Sequence, residues 1–149
     1  MKIITVNKKA SYNYEILDKY EAGIVLLGSE IKAIREGKVN LKDAYVDIRA
    51  GEAFLLNSHI GLYSNASYNN HEPERERKLL LHKQELMKLE RRVKARGVTI
   101  VPIRMFFNAK GYVKVEIGTA KGKREYEKKQ KIKDREIKRE VERELKHYK

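Results

Sequence analysis

The sequence VPIRMFFNAKGYVKVEI, which is residues 101–117, has the clearest strand pattern in the chain. Apolar residues occupy every second position in both of its halves, and this period of two places them on one face of a β-strand. These residues are Val101, Ile103, Met105 and Phe107 in the first half and Val113, Val115 and Ile117 in the second. Because Asn108–Gly111 between the halves has the composition of a turn, the stretch predicts an antiparallel β-hairpin.

Two further strands are predicted near the N-terminus. Tyr12, Tyr14 and Ile16 alternate with polar residues, as in a half-buried strand. The segment Tyr20–Leu27, which reads YEAGIVLL, is more apolar and predicts a central strand. Gly23 within it permits a bulge or a tight bend.

A second hairpin is predicted in the middle of the chain. Tyr45–Arg49 and Ala53–Leu56 are its strands, and a turn at Ala50–Glu52 separates them. Residues 57–72 are polar and rich in Asn and Ser, so they predict a long loop.

A short helix is predicted between Ser29, which can cap its N-terminus, and Gly37, which stops it. Polar residues around this helix are Lys32, Arg35, Lys38 and, just beyond it, Asn40. Because three cations converge on one small element, we expect them to contact phosphate groups.

A longer helix is predicted from Pro73, which suits the first turn of a helix, to Arg96, with Gly97 as its stop. Its core stripe consists of Leu79, Leu86, Leu89 and Val93. The rest of this helix is strongly basic. A basic helix face suits binding to a nucleic acid, but a solvated outer surface explains the basic residues equally well.

Together these elements predict a mainly β fold with a short helix and a longer one in residues 1–120. A small antiparallel barrel of the OB type fits, because closure removes exposed strand edges and its face and loops commonly bind oligonucleotides. The pattern does not separate this barrel from an α+β sandwich. Residues 121–149 follow as a basic C-terminal tail.

The tail contains 13 Lys and Arg residues but only 7 Asp and Glu residues. Several opposite charges four residues apart favour a helix, although each such pair contributes only about 0.2–0.5 kcal/mol. The apolar stripe of Ile137, Val141 and Leu145 is too narrow to dock firmly on the body. We therefore expect the tail to be disordered when free and helical when bound to a partner.

The formal net charge of +13 raises affinity for polyanions, above all for nucleic acid. No apolar run is long enough to cross a membrane, the N-terminus lacks the apolar core of a signal peptide, and there is no cysteine. We therefore expect a cytoplasmic protein that has no disulfide bonds and no membrane partner.

Residues with catalytic or metal-binding potential are scattered. The four histidines, His59, His71, His82 and His147, stand at no metal-ligand spacing. No glycine-rich loop precedes a helix, and nothing places a nucleophile beside a base. The sequence thus predicts no enzyme, no metal site, no cofactor and no small-molecule substrate.

Several runs of the sequence are distinctive in their order and spacing. They are Asn7–Ala10, Tyr20–Gly23, Gly28–Lys38, Gly51–Glu52, Arg75–Leu81 and Lys121–Lys123. With these runs, the whole chain resembles the small protein B family, the bacterial partners of transfer-messenger RNA in the rescue of stalled ribosomes. The resemblance implies an OB-type barrel that binds the elbow of the tRNA-like domain of this RNA, so that body and RNA imitate a tRNA in the ribosomal A site. It also implies that the tail forms a helix in the empty messenger channel.

The resemblance further implies which residues bind RNA. Family positions tied to RNA binding are matched by Asn7, Glu21, Leu80 and His82. The predicted RNA-binding set also contains the residues around the short helix, Lys32, Arg35, Lys38 and Asn40, and the cations Lys8, Lys9, Arg77 and Lys78 of the matching runs. The predicted ribosome-binding residues of the tail are Lys121, Lys123, Arg124, Tyr126, Lys128, Lys129, Lys131, Lys133, Arg135 and Ile137.

Some of these positions depart from the family pattern. His82 replaces a common Asn, and Glu127–Lys129 replaces Asp-Lys-Arg, so its second Lys cannot make a bidentate guanidinium contact. Tyr126 stands where some members have His, and Ile137 where some have an aromatic residue. Glu21 cannot attract phosphate, so it would accept from a base amino group or a 2′-hydroxyl group, or organise a neighbouring cation.

Two other functions stay open at this point. A ribosomal or ribosome-assembly protein would use the same basic body and arm on ribosomal RNA, without any need for a tRNA-like RNA. A nuclease or an RNA-modifying enzyme would require a metal or carboxylate constellation that the sequence does not reveal.

Overall fold

The computed structural model describes residues 1–65, 70–123, 135–139 and 141. Within them the strands are β1 (Lys2–Val6), β2 (Tyr14–Ile24), β3 (Val39–Asn40), β4 (Tyr45–Arg49), β5 (Glu52–Leu56), β6 (His59–Ile60), β7 (Arg77–Leu80), β8 (Val98–Phe107) and β9 (Val113–Gly122). The helices are α1 (Lys8–Asn13), α2 (Gly28–Arg35) and α3 (Lys83–Val93). Residues 135–139 and 141 are also helical.

Seven strands form one antiparallel sheet in the order β1-β8-β9-β2-β7-β5-β4, and β3 pairs separately with β6. Strand β4 lies against β8, so the sheet curls around a common core. In the described part of the chain β1 and β4 do not pair with each other, and the barrel is therefore not closed. The predicted class, a mainly antiparallel OB-like fold with a few helices, is confirmed.

The predicted hairpin of β8 and β9 is confirmed, and it supplies much of the core. Met105, Val115 and Ile117 are fully buried in the main core. Val101 instead packs in a second, smaller cluster with Ala10. The two clusters differ because the β8–β9 ladder is irregular between Pro102 and Arg104, and such an irregularity changes the face to which a side chain points.

The N-terminal region differs from the prediction. Strand β1 and helix α1 were not predicted, and Tyr12 lies in α1 rather than in a strand. The strands predicted around Tyr14 and at Tyr20–Leu27 form one continuous strand, β2, which ends before Val25. Its bulge lies between Ile16 and Lys19, whereas Gly23 pairs regularly with both neighbouring strands.

The predicted long helix from Pro73 to Arg96 is wrong in its first part. Arg77–Leu80 is a strand that pairs with β2 and β5, and α3 occupies only Lys83–Val93. Apolar spacing misled the prediction because Leu79 fits the helical stripe of α3, yet it is buried from a strand. Long-range pairing overrides the local pattern here.

Helix α2 begins differently from the prediction, although it ends near Gly37 as expected, where φ is +78°. Its cap is Leu27, whose backbone N–H donates to Glu30 Oε1 at 2.7 Å. Ser29 Oγ instead bonds to Nδ1 of the buried His71 at 2.9 Å, and His71 Nε2 donates to the Ile60 carbonyl at 2.8 Å. This histidine anchors the predicted loop 57–72 to the helix.

Candidate nucleic-acid interface

Three of the four family-matched positions lie together at one end of β2 and β7. Glu21, Leu80 and His82 line an open cavity of about 280 Å³, and Lys114 of β9 completes it. The strands bring them together because Gly23 of β2 pairs with Leu80 on one side and with Lys114 on the other. His82 lies two residues beyond the end of β7 and is the N-cap of α3, where its backbone N–H donates to Glu85 Oε1 at 3.0 Å.

Because Gly23 has no side chain, the side chains of Leu80 and Lys114 can lie over β2 at this position. A Cβ atom at this position would lie 3.3 Å from Leu80 Cβ and 3.7 Å from Lys114 Nζ. Gly23 therefore allows an apolar side chain and an ammonium group to lie close together over β2. Leu80 is 53% exposed in this arrangement.

Glu21 and Glu85 are the two acidic residues of the cavity, and Glu85 already accepts a hydrogen bond from the His82 N–H. Glu21 differs from it. It is exposed, and no residue of the described chain forms a hydrogen bond or an ion pair with its carboxylate. Glu116 stands directly opposite on β9, but Arg104 neutralises it at 3.0 Å. Among the three possibilities for Glu21, the organisation of a neighbouring cation is therefore not realised in this structure.

A second, more apolar groove of about 550 Å³ adjoins the cavity and shares Leu80 and Lys114 with it. Ile31 and Arg35 of α2 and Tyr112 of the β8–β9 turn are among its lining residues. Tyr112 is 65% exposed. Apolar and aromatic surface between cations suits unstacked bases and their phosphates.

The other predicted cations around α2 do not converge with Arg35. Lys32 Nζ lies 5.3 Å from the centre of the Tyr63 ring, and Lys38 Nζ donates to the Leu62 carbonyl and to Ser64 Oγ. These two lysines thus hold the segment that follows β6.

A separate cluster forms around the start of α1. Lys8, Lys9 and Asn40 line a cavity of about 260 Å³ together with Lys42. This cavity shares no residue with the two that contain Leu80. Lys9 Nζ lies 2.8 Å from Asp43 Oδ1, and its hydrogen bond and charge hold the pKa of the Asp43 carboxyl below its usual range.

Asn7 reaches this cavity but is itself buried. Its Nδ2 donates to the carbonyls of Leu41 and Pro102 at 3.0 and 2.9 Å, and its Oδ1 accepts from the Ala10 N–H at 3.2 Å. The amide is therefore committed to capping α1 and joining it to two other segments. Its geometry makes Asn7 a positioning residue for Lys8 and Lys9.

Arg77 requires a correction, because its side chain is completely buried and does not reach a ligand surface. All three of its nitrogens donate hydrogen bonds inside the protein, to Glu30 Oε2, to Ser58 and to the Pro73 carbonyl. Burial lowers the pKa of Arg77, and Glu30 opposes this effect. Its neighbour Lys78 points outward and lies 3.0 Å from Glu52.

Only some of the predicted tail residues are described. Lys121 is exposed on β9, and Lys123 is bound to the body, since its N–H donates to the Asn13 carbonyl and its Nζ to the Ser11 carbonyl. Arg135 and Ile137 belong to the helical residues 135–139, and Ile137 is 59% exposed. Arg124, Tyr126, Lys128, Lys129, Lys131 and Lys133 lie outside the described residues.

Sequence reasoning missed three residues of these surfaces, namely Lys42, Tyr112 and Lys114. Lys114 occupies a polar position between Val113 and Val115, so its outward direction was available from the strand pattern. Its proximity to Glu21 depended on the pairing of β9 with β2 and had no sequence signal. In the described part of the chain, no group of three acidic, His or Cys residues is placed to hold a metal ion. No helix of that part is long and apolar enough to cross a membrane.

Comparison with known proteins finds similarity along most of the chain. The family model described as SmpB protein matches residues 4–147. The SsrA-binding protein of Thermosipho africanus (strain TCF52B) is 53% identical over 141 residues, which cover 95% of each chain. That of Trichodesmium erythraeum (strain IMS101) is 53% identical over 148 residues, or 99% of this chain and 94% of the relative.

A solved structure also resembles this chain. Its description reads "tmRNA-SmpB: a journey to the center of the bacterial ribosome". The matching chain is 45% identical with a TM-score of 0.69, and the match covers 81% of the present chain and 85% of the other.

Proposed function

The chain belongs to the SmpB family, and we propose that it binds the tRNA-like domain of transfer-messenger RNA and delivers this RNA to stalled ribosomes. The names of its relatives support an SsrA partner, and the similar solved structure supports transfer-messenger RNA and the ribosome as partners. The structural observation that carries the proposal is the meeting of Glu21, Leu80 and His82 with Lys114 in one cavity.

The surface around this cavity fits an RNA partner in its physical chemistry. Apolar and aromatic side chains can contact bases, while Arg35 and Lys114 stand at positions that can neutralise phosphates. Lys8, Lys9 and Lys42 offer a second group of cations for the same RNA or for the ribosome. Because cations supply much of the affinity, RNA binding should weaken steeply as the salt concentration rises.

The tail carries the second half of the proposal. Residues 121–149, with 13 basic residues, would occupy the empty messenger channel of the ribosome as a helix. The helical conformation at 135–139 supports this role, and so does the exposure of Ile137, which leaves its apolar side chain available to a partner. A division into a folded body, residues 1–120, and this tail belongs to the same proposal.

In this proposal the protein acts by binding and carries out no reaction itself. It needs no cofactor, and its site of action on the ribosome places it in the cytoplasm. A ribosomal or ribosome-assembly function would rest on the same basic surfaces but would not require the tRNA-like domain.

The test is a salt-titrated binding measurement with the full chain, the tRNA-like domain and an ordinary tRNA as competitor. We expect a clear preference for the tRNA-like domain at moderate salt. A Lys114→Gln variant should reduce the salt dependence by about one phosphate contact, whereas Lys94→Gln, at the exposed position that follows α3, should not. Equal affinities for both RNAs that vanish together with salt would overturn the proposal in favour of nonspecific charge binding.

A further inference from the structure

Within the described residues the Glu21 carboxylate has no hydrogen-bond or ion-pair partner, and it lies at the edge of a predicted RNA site in a protein with a net charge of +13. A negative charge beside a polyanion opposes binding unless the ligand donates hydrogen bonds to it. The negative charge of its cross-strand neighbour Glu116 is neutralised by an ion pair with Arg104. Glu21 therefore favours a ligand that brings hydrogen-bond donors of its own.

The four RNA bases differ in what they present to a carboxylate. An ionised carboxylate only accepts hydrogen bonds, and it has two oxygens side by side. On the Watson–Crick edge, guanine presents two adjacent donors, N1–H and N2–H₂. Adenine and cytosine present one amino donor beside an acceptor nitrogen, and uracil presents one N–H between two carbonyl groups. Guanine alone satisfies both oxygens of the carboxylate.

We propose that the cavity beside Glu21 recognises one unpaired guanine of the RNA by its Watson–Crick edge. Unstacked bases of single-stranded segments are the usual targets of such readout. The inference rests on the proposed function and specifies which base that site reads.

The rest of the cavity is built for such a base. Leu80, which is 53% exposed, presents apolar surface to the face of the ring. Lys114 Nζ lies on the same side, close to Gly23, and neutralises the adjacent phosphate. The volume of about 280 Å³ is near the lower end of the ~300–1,000 Å³ that is usual for small-ligand sites. The adjoining groove with Tyr112 can accept a neighbouring nucleotide.

The experiment compares short single-stranded RNAs of identical cytidine flanks with a central guanosine, inosine or uridine, bound to the full chain at fixed salt. Inosine keeps N1–H but lacks the 2-amino group. Since that group donates to a charged acceptor, we expect guanosine to bind about 10-fold more tightly than inosine. In Glu21→Gln the ratio of the guanosine affinity to the inosine affinity should approach one. The RNA with uridine should gain affinity relative to the other two, because an amide offers one donor and one acceptor.

Glu15→Gln is the matched control, because it makes the same charge change at another exposed position of β2. This variant should keep the preference for guanosine. A ratio of one in the wild-type protein, a ratio that survives in Glu21→Gln, or the absence of binding to all three RNAs would each overturn the inference. Failure of the proposed function would appear separately, as a lack of preference for the tRNA-like domain over tRNA, whatever the inosine result.

Discussion

Arg77 Nε donates a hydrogen bond to Glu30 Oε2 across 2.5 Å, and both side chains are completely buried. The pair joins α2 to β7, two elements that are far apart in sequence. Arg75 adds a second contact to the same carboxylate, with its Nη2 2.6 Å from Glu30 Oε1. Because β7 carries Leu80 at its end, this buried network fixes the position of the candidate interface.

Loss of the Arg77 guanidinium should destabilise the protein strongly. In Arg77→Gln the Glu30 carboxylate loses its buried partner, and removal of one member of a buried ion pair costs about 3–5 kcal/mol. Because Arg75 stays in contact with Glu30, we expect a decrease of about 3 kcal/mol in the free energy of unfolding, measured by urea denaturation. Lys78→Gln, at the exposed neighbouring position, should change it by less than about 0.5 kcal/mol. Equal effects of the two substitutions would contradict this role of Arg77.

The same network should make stability depend on pH in the acid range. Burial raises the pKa of Glu30, but hydrogen bonds from Arg75, from the Leu27 N–H and from Arg77 outweigh it, so the pKa lies below its ordinary value of 4.5. A carboxyl whose pKa is lower in the folded than in the unfolded state stabilises the protein fully above its unfolded pKa. That contribution is lost as the pH falls from about 4.5 through the folded pKa.

Urea denaturation across this acid range checks the pH prediction. The wild-type protein should lose more stability on acidification than Glu30→Gln, which has no carboxyl to protonate at this position. Glu52→Gln, an exposed control, should follow the wild-type curve. Parallel curves for wild type and Glu30→Gln would show that Glu30 does not contribute to the acid sensitivity.

Gly23→Ala should weaken RNA binding more than it affects folding. The added Cβ would stand 3.3 Å from Leu80 Cβ, so this side chain must give by a few tenths of an ångström, whereas Lys114 Nζ at 3.7 Å would be in ordinary contact. Because Leu80 must move within the cavity, we expect about a 10-fold loss of affinity for the tRNA-like domain, the order of magnitude of one lost contact at an interface. Gly122→Ala, where a Cβ meets nothing within 4 Å, should leave this affinity unchanged. An unaltered affinity in Gly23→Ala would argue against close packing at the RNA site.

Asn7→Ala should lower stability first and RNA binding only as a consequence. The substitution removes the cap of α1 and leaves the carbonyls of Leu41 and Pro102 without their donor. Loss of a cap and of buried hydrogen bonds costs about 1–3 kcal/mol. Thermal unfolding should show the loss, and Asn65→Ala at an exposed position should not. At a temperature where both variants are fully folded, a large loss of RNA affinity in Asn7→Ala would instead indicate direct contact.

The local sequence pattern predicted the structure correctly where strands that follow each other in sequence also pair in the sheet. The alternation in residues 101–117 predicted the β8–β9 hairpin, and Gly37 correctly marked the end of α2. The same reasoning failed at Arg77–Leu80, because two strands from distant parts of the chain pair with this segment. Because Arg77 is charged and also fits the outer surface of a helix, the sequence pattern gave no sign that its side chain is buried.

The order of short motifs likewise placed the chain in its family, and the excess of basic residues pointed to a polyanionic partner. These properties are determined by the sequence itself, because composition, period and motif order do not depend on how the chain folds back. The tertiary structure alone decided that Arg77 and Asn7 are internal and that Lys114 joins Glu21, Leu80 and His82. Hydrogen-bonded pairing across β9, β2 and β7 creates that neighbourhood, and no local property of any one strand specifies which residues will meet there.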